Sequence, residues 1–163
     1  MKTRMYCVVN QYIAGIHAGI QGAHAMAEMF LDYPRRINKA SNLLWDWVDD
    51  GKTIIVLNGG YQSSLQALCE RLKPLSGTYP WAPFCEEYDA LNGAMTAVAV
   101  VLPEYMYNPQ YVEISDLVYR PGVHVVPQVA NTYRDEMGNT IHSYTQPEKD
   151  LITMIKSFRL KGE

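Results

Sequence analysis

The stretch that decides the fold is residues 4–31, which read RMYCVVNQYIAGIHAGIQGAHAMAEMFL. Its first part, Arg4–Asn10, contains a compact apolar run that is typical of a strand buried between two layers of helices. From about Gly15 to Leu31 alanine and methionine are abundant, proline is absent, and apolar residues such as Ile16 and Ile20 recur at helical spacing. A buried strand that leads into a helix predicts an α/β fold with this strand near the centre of the sheet.

The remainder of the first hundred residues continues to alternate helices with strands. Leucine-rich segments predict helices, apolar runs predict strands, and the stretch Tyr79–Pro83, with its two prolines, predicts irregular chain. Helix-separated strands favour parallel crossovers, so we predict a three-layer α/β/α fold whose mixed, mostly parallel sheet has about four strands. An antiparallel pairing is expected only for the last two strands. The predicted helices are Asn38–Asp50 and Ser63–Lys73, and the predicted strands are Thr53–Leu57, an edge strand near Phe84–Glu87, and Thr96–Leu102.

The chain beyond Pro103 is less regular than the part before it. It offers a strand candidate at Val123–Val129 and a final helix at about Glu148–Phe158. No flexible linker precedes this part, and it has no second set of alternating elements. We therefore predict a single domain over residues 1–163, with a core at about 4–102 and a C-terminal elaboration at about 103–163.

Composition limits the classes of function. Hydrophobic residues make up 48% and charged residues 19% of 163 residues, which is a normal globular balance. No apolar run approaches the ~20 residues that span a bilayer, and the first ten residues, MKTRMYCVVN, do not resemble a secretory leader. We expect a cytoplasmic protein without a membrane partner. A net charge of −3 argues against broad, nonspecific binding to nucleic acid.

Several kinds of site have no support in the sequence. The three cysteines, Cys7, Cys69 and Cys85, are far apart and form no CxxC pair, so neither a disulfide framework nor a cysteine zinc site is predicted. The dinucleotide-binding and P-loop glycine patterns and the GxSxG nucleophile motif are also absent from the sequence. We expect no cofactor and no metal.

Polar side chains line one stripe of the first predicted helix. His17, Gln21 and His24 follow one another at i, i+4 and i+7. One interpretation is that they form hydrogen bonds to neighbouring loops, and His24 fits it best. The other concerns His17, which lies in the first turn just after Gly15, where free backbone N–H groups and the helix dipole favour an anion. A phosphate or carboxylate ligand could bind there, although water or a loop carbonyl could serve instead.

A second group of candidate residues lies between the last two predicted strands of the core. Three carboxylates, those of Glu86, Glu87 and Asp89, precede a turn at Asn92, and a buried strand then begins at Thr96. Acids at such a connection can polarise a water or hold a ligand hydroxyl. The alternative is that Asp89 and Asn92 only form the turn while the glutamates face solvent. Asp89 is the preferred functional candidate of the three acids.

These residues together resemble a known family. Val8-Val9-Asn10, a short loop, and His17-Ala-Gly-Ile-Gln21-Gly-Ala-His24-Ala resemble the opening of type 2 peptidyl-tRNA hydrolases, whose helix reads roughly GK-x-A-A-Q-x-x-H-A. The resemblance covers about residues 4–102. Here His17 stands where the family has its lysine, and the DAGRTQ-like signature is replaced by residues 89–93, DALNG. The pattern is similar to divergent members of this superfamily, some of them carried by phages.

The resemblance implies a single site and an activity. It implies that His17, Asp89 and Thr96 are catalytic in an esterase that acts on peptidyl-tRNA or a related nucleotide-linked ester. Asp89 and Thr96 would hold a water, and His17 would stabilise oxyanion charge or transfer a proton. Expected partners are tRNA or a small nucleotide, and the family is commonly homodimeric. The expected ligand-binding residues are Asn10, Gly15, Gln21 and Asn92.

Two other functions remain open at this point. The first is a non-catalytic protein that sequesters a small nucleotide or phosphorylated ligand at the start of the first helix. The overall acidic charge and the absence of the family lysine favour this alternative. The second is a protein-interaction module that uses the C-terminal elaboration, for which the expected mark is an exposed apolar patch. For the esterase, the best basic cluster to bind RNA is Arg35, Arg36 and Lys39.

Overall fold

The computed structural model describes residues 2–111, 126–129, 132–134 and 140–162. Helices and strands alternate through most of this part of the chain. The helices are α1 (Ile16–Asp32), α2 (Lys39–Asp49), α3 (Gln62–Leu72), the short α4 (Tyr88–Leu91) and α5 (Glu104–Tyr107), and α6 (Gln146–Ser157). The strands are β1 (Thr3–Val9), β2 (Ile54–Asn58), β3 (Trp81–Cys85), β4 (Met95–Pro103), β5 (Val126–Val129), β6 (Thr132–Arg134), β7 (Thr140–His142) and β8 (Arg159–Leu160).

The main sheet confirms the α/β class and the central position of β1. Its strand order is β3-β4-β1-β2-β8, and it is mixed. Our expectation that it would be mostly parallel is wrong, because β1 and β2 pair parallel whereas β1–β4, β3–β4 and β2–β8 all pair antiparallel. The connection Glu86–Ala94 between β3 and β4 is too short for the crossover of about a dozen residues that parallel neighbours need. Strand β4 therefore returns antiparallel beside β3, as expected for these two strands.

Helices cover both faces of the sheet, which gives three layers. Neighbouring residues of β1 point to opposite faces, and α1 approaches the face of Cys7 while α3 approaches the face of Val8. At Gly22 of α1 an added Cβ would lie 3.1 Å from the Cβ of Cys7. At Gly59 it would lie 2.6 Å from both the Leu65 and the Val8 side chains. Small residues are thus what let both helices pack closely on β1.

The inner face of α1 differs from the stripe of large apolar residues in the sequence. The residues that the sheet buries are Ala18, Gln21, Gly22, Ala25 and Met29, whereas Ile16 and Ile20 face outward. Close contact with β1 requires small side chains, so the alanines and the glycine take the inner positions. Hydrophobic periodicity identified the helix correctly.

Two boundaries differ from the sequence prediction. Tyr79–Pro83 was expected to be irregular, but β3 begins at Trp81 and includes Pro83. Because β3 is an edge strand, a residue without an N–H group is tolerated in it. Of the strand expected at Val123–Val129, the structure describes Val126–Val129 as β5, and residues 123–125 lie outside the described residues.

The C-terminal part adds two features to the core. Helix α6 contacts α3, and β8 extends the main sheet by pairing with β2. Strands β5, β6 and β7 form a separate antiparallel sheet. Among the described helices, none has both the length and the apolar character that crossing a membrane would require.

Candidate functional site

The candidate site lies where β1 ends and β4 begins. Because these strands are antiparallel, the end of one and the start of the other share an edge of the sheet. Asn10 follows β1 directly, and its backbone N–H donates to the carbonyl of Thr96 over 2.9 Å. Its side-chain oxygen accepts a hydrogen bond from the N–H of Tyr12 at 3.1 Å, and its Nδ2 lies 3.5 Å from the carbonyl of Met95. Asn10 therefore holds the loop that leads into α1.

A chain of hydrogen bonds joins three side chains at this edge. Thr96 donates from Oγ1 to Oε1 of Gln21 over 2.6 Å, and Gln21 donates from Nε2 to Oε1 of Glu86 over 2.7 Å. Thr96 and Gln21 are 2% and 8% exposed, so the first bond is shielded from water, whereas Glu86 is half-buried. The carboxylate of Glu86 can only accept, so the amide turns its N–H₂ group toward Glu86 and its oxygen toward the hydroxyl of Thr96, which donates to it.

Glu86 was considered in the sequence but was not selected. It reaches α1 because it follows the edge strand β3, and it lies two residues after Phe84, whose ring stacks on His24 of α1 with centroids 4.5 Å apart. Side chains alternate along a regular strand, so the sequence would place Phe84 and Glu86 on the same face. The register shift between Phe84 and Cys85 makes that rule unreliable at this point. The hydrogen bond between Glu86 and Gln21 therefore could not be predicted from the sequence.

His17 lies one helical turn before Gln21, in the first turn of α1. Its side chain is exposed. Gly15 is the N-cap residue with φ 60°, and because glycine has no side chain it supplies no cap to this helix end. The three residues of the predicted stripe therefore have different environments. Gln21 is buried in the hydrogen-bond network, His24 stacks on Phe84, and His17 faces solvent.

Asp89 and Asn92 lie on the connection between β3 and β4. Asp89 is exposed in the first turn of α4, and Asn92 ends that helix in the left-handed conformation with φ 52°. Within the part of the chain that the structure describes, no hydrogen bond joins either residue to Gln21 or Thr96. Both residues therefore have the turn-forming geometry that the sequence also allowed, and Glu86 is the acid that contacts the buried network.

The opposite side of this edge carries a lysine and two tyrosines. Lys161 donates from Nζ to the carbonyl oxygens of Asn10 and Gln11 at 3.3 and 3.2 Å, and burial lowers the pKa of its ammonium group. Tyr12 and Tyr61 pack with ring centroids 5.4 Å apart, and both are largely exposed. The acids of the β3–β4 connection and this lysine therefore lie on different sides of the loop that follows β1.

The basic cluster that was considered for RNA binding is partly neutralised. Arg36 forms ion pairs of 2.7 Å with both Asp46 and Asp49 of α2. It follows the C-terminal end of α1, whereas the site lies at the N-terminal end. Arg36 therefore contributes little free positive charge for binding RNA, because its guanidinium group is paired with the two carboxylates of α2.

Metal binding has no support in the described residues. No three His, Cys, Asp or Glu side chains gather there in a way that could hold an ion. The chemistry available at the edge is that of a carboxylate held by an amide, an exposed imidazole one helical turn away, and the free end of a helix. Comparison with known proteins gives no matching family model and no matching curated sequence.

Proposed function

We propose that this protein is a peptidyl-tRNA hydrolase-like esterase that cleaves a peptidyl-tRNA or a related nucleotide-linked ester, with Glu86 as the group that activates water. The observation that carries the proposal is the chain from Thr96 through Gln21 to Glu86. A carboxylate held by a fixed donor at one oxygen keeps its other oxygen available to accept a proton from water. In this proposal Glu86, rather than the Asp89 of the family pattern, activates the water. Thr96 acts as a positioning residue.

Each step of the proposed reaction is assigned to a group at this site. Oε2 of Glu86 accepts a proton as the water attacks the ester carbonyl carbon. Negative charge then develops on the carbonyl oxygen, and the imidazole of His17, together with the free N–H groups at the start of α1, stabilises it. Collapse of the tetrahedral intermediate expels the sugar oxygen, which takes the proton from Glu86.

The experiment is release of the acylated amino acid from N-acetyl-aminoacyl-tRNA by the purified protein. Glu86→Gln keeps the size of the side chain but removes the base, and we expect it to lower the rate by a factor of 10²–10⁴. Glu87→Gln changes the neighbouring exposed acid and is the matched control, for which we expect unchanged turnover. His17→Ala should lower the rate without changing the melting temperature. Absence of turnover by folded wild-type protein would exclude this activity.

A second function rests on a separate observation, the open N-terminus of α1. Its N-cap residue, Gly15, supplies no side-chain cap, and in the described part of the chain no atom beyond the immediate chain neighbours of Gly15 lies within 4 Å of the position that a Cβ on it would occupy. Such a helix end suits a phosphate, so a protein that only sequesters a small nucleotide is the alternative. Calorimetric titration with a nucleoside monophosphate distinguishes the two functions. Binding that persists in Glu86→Gln, together with no hydrolysis by the wild type, favours sequestration.

A further inference from the structure

Two tyrosines lie side by side on the surface at the edge of the sheet where the parallel strands β1 and β2 end. Tyr12 belongs to the loop that follows β1, and Tyr61 is the N-cap residue of α3. They are 77% and 52% exposed, and their ring planes are tilted by 51°. Because the rings are tilted rather than stacked face to face, both keep aromatic surface that a ligand can contact. We call this pair the tyrosine platform.

Hydrogen bonds fix the backbone beside both rings of the tyrosine platform. The N–H of Gln11 donates to the carbonyl of Gly60 over 2.8 Å, and these two residues directly precede Tyr12 and Tyr61. The N–H of Tyr12 donates to the side-chain oxygen of Asn10. The two loops are therefore held together before any ligand arrives, which lowers the entropic cost of binding on the rings.

The charge around the tyrosine platform differs from that of the whole chain, whose net charge is −3. Three segments that meet at this edge contain no aspartate or glutamate, namely residues 10–20, 58–66 and 156–162. Lys161 donates from Nζ to two carbonyl oxygens of the loop that follows β1, which uses two of the three N–H donors of its ammonium group. Arg159 is exposed and lies opposite Asn58 at the end of β2. An anion at this edge would therefore meet two cations and no carboxylate of these segments.

We propose that the tyrosine platform binds single-stranded nucleic acid. An unpaired base stacks on the exposed rings of Tyr12 and Tyr61, and a phosphate beside it accepts hydrogen bonds from Lys161 and Arg159. Every base has a flat face that can stack on an aromatic ring, so this contact places little demand on the sequence of the strand. Bases in a duplex are already stacked on their neighbours, so the platform selects single strands.

A nucleic acid strand fits this surface better than a proline-rich peptide does. Such peptides also dock on exposed aromatic side chains. They carry no phosphate, however, so Lys161 and Arg159 would have no partner in the complex. The proposal is also separate from hydrolysis, because Glu86 lies on the other side of the loop that follows β1 and the strands used below carry no ester.

Fluorescence anisotropy of a labelled single-stranded RNA of about twelve nucleotides tests the proposal with the full chain. We expect a dissociation constant of about 10–100 μM at moderate salt. Tyr12→Ala and Tyr61→Ala should each raise it by roughly tenfold, as expected for the loss of a stacked base, whereas Tyr12→Phe keeps the ring and should bind like the wild type. Tyr88→Ala is the matched control, because Tyr88 is 78% exposed but lies on α4.

The salt dependence of binding tests the two cations separately from the rings. Two phosphate contacts to a single strand predict that the logarithm of the dissociation constant rises with the logarithm of the salt concentration with a slope of about 1.4. Arg159→Gln and Lys161→Gln should each lower this slope by about 0.7. Lys52→Gln removes an exposed cation that precedes β2, at the opposite edge of the sheet, and should leave the slope unchanged.

Three results would overturn the proposal. The first is absence of binding by folded wild-type protein, and the second is equal weakening by Tyr12→Ala and Tyr88→Ala. The third is equal affinity for a duplex of the same length, which would show that no unpaired base is stacked. A proline-rich peptide that binds in place of the strand, and loses affinity in Tyr12→Ala, would assign the platform to peptides. Binding of the strand by a protein that hydrolyses no ester would support this proposal alone.

Discussion

Gln21 and Glu86 are 65 positions apart in the chain, yet Nε2 of Gln21 lies 2.7 Å from Oε1 of Glu86. This hydrogen bond links the first helix to the residue that follows the edge strand β3, and Thr96 at the start of β4 donates to the oxygen of the same amide. Three elements therefore meet in one polar chain at the edge of an otherwise apolar core. Single substitutions can remove each of these hydrogen-bonding side chains in turn.

The buried hydroxyl of Thr96 should contribute measurably to stability. Thr96→Val keeps the shape of the side chain but leaves Oε1 of the buried Gln21 without its donor. We expect a loss of about 1–3 kcal/mol in the free energy of unfolding, which urea denaturation measures. If Glu86 is the base, hydrolysis should also fall, because the Gln21 amide that holds Glu86 loses one of its two hydrogen bonds. A variant as stable as the wild type would show that water replaces the hydroxyl.

Gly59 should tolerate no larger residue. An added methyl group would lie 2.6 Å from both Leu65 and Val8, which are completely buried. We expect Gly59→Ala to lower the free energy of unfolding by about 1–3 kcal/mol through overpacking. Gly77→Ala is the control, since no atom lies within 4 Å of its added methyl group. Equal stability of the two variants in urea denaturation would contradict the packing of α3 on β1.

Glu148 should make the protein sensitive to acid. Burial alone would raise its pKa, but hydrogen bonds from His142, Tyr79 and the Thr145 backbone outweigh burial and lower the pKa to about 2 from an ordinary value of 4.5. Because the pKa is lower in the folded state, the stabilisation is complete above pH 4.5 and is lost as the pH falls toward 2. The shift corresponds to about 3 kcal/mol.

Denaturant midpoints measured between pH 7 and pH 2 test this contribution. Stability should fall steeply below pH 4.5 in the wild type and less steeply in Glu148→Gln, which cannot titrate. Glu104→Gln changes an exposed carboxyl group and should leave the wild-type slope unchanged. Parallel slopes for wild type and Glu148→Gln would show that other carboxyl groups account for the acid sensitivity.

The three thiols should differ in reactivity. Burial raises the pKa of both Cys7 and Cys69 to about 11, and both side chains are inaccessible, whereas Cys85 is exposed at the end of β3. Near neutral pH we expect an aromatic disulfide reagent to modify one thiol of the folded protein quickly and the other two only after unfolding. Loss of the fast phase in Cys85→Ser would identify the reactive residue, and its persistence would contradict the assignment.

The sequence by itself determined the elements that depend on neighbouring residues. The apolar run of β1, the uninterrupted helix-forming segment of α1 and the strand at Thr96–Leu102 are local patterns, so the class of the fold and the central strand could be predicted. The residue pattern also made Gln21 and Thr96 candidates, because a polar residue on a helix stripe and a threonine at the start of a buried strand both differ from their surroundings.

The tertiary structure decided what depends on distant residues. Only the packing shows that β4 runs antiparallel to β1, that Glu86 rather than Asp89 contacts Gln21, and that α1 turns its small residues toward Cys7 and its isoleucines outward. These outcomes follow from contacts between segments far apart in the chain. Helical periodicity shows that a face is apolar, but the space available over β1 determines which face is buried.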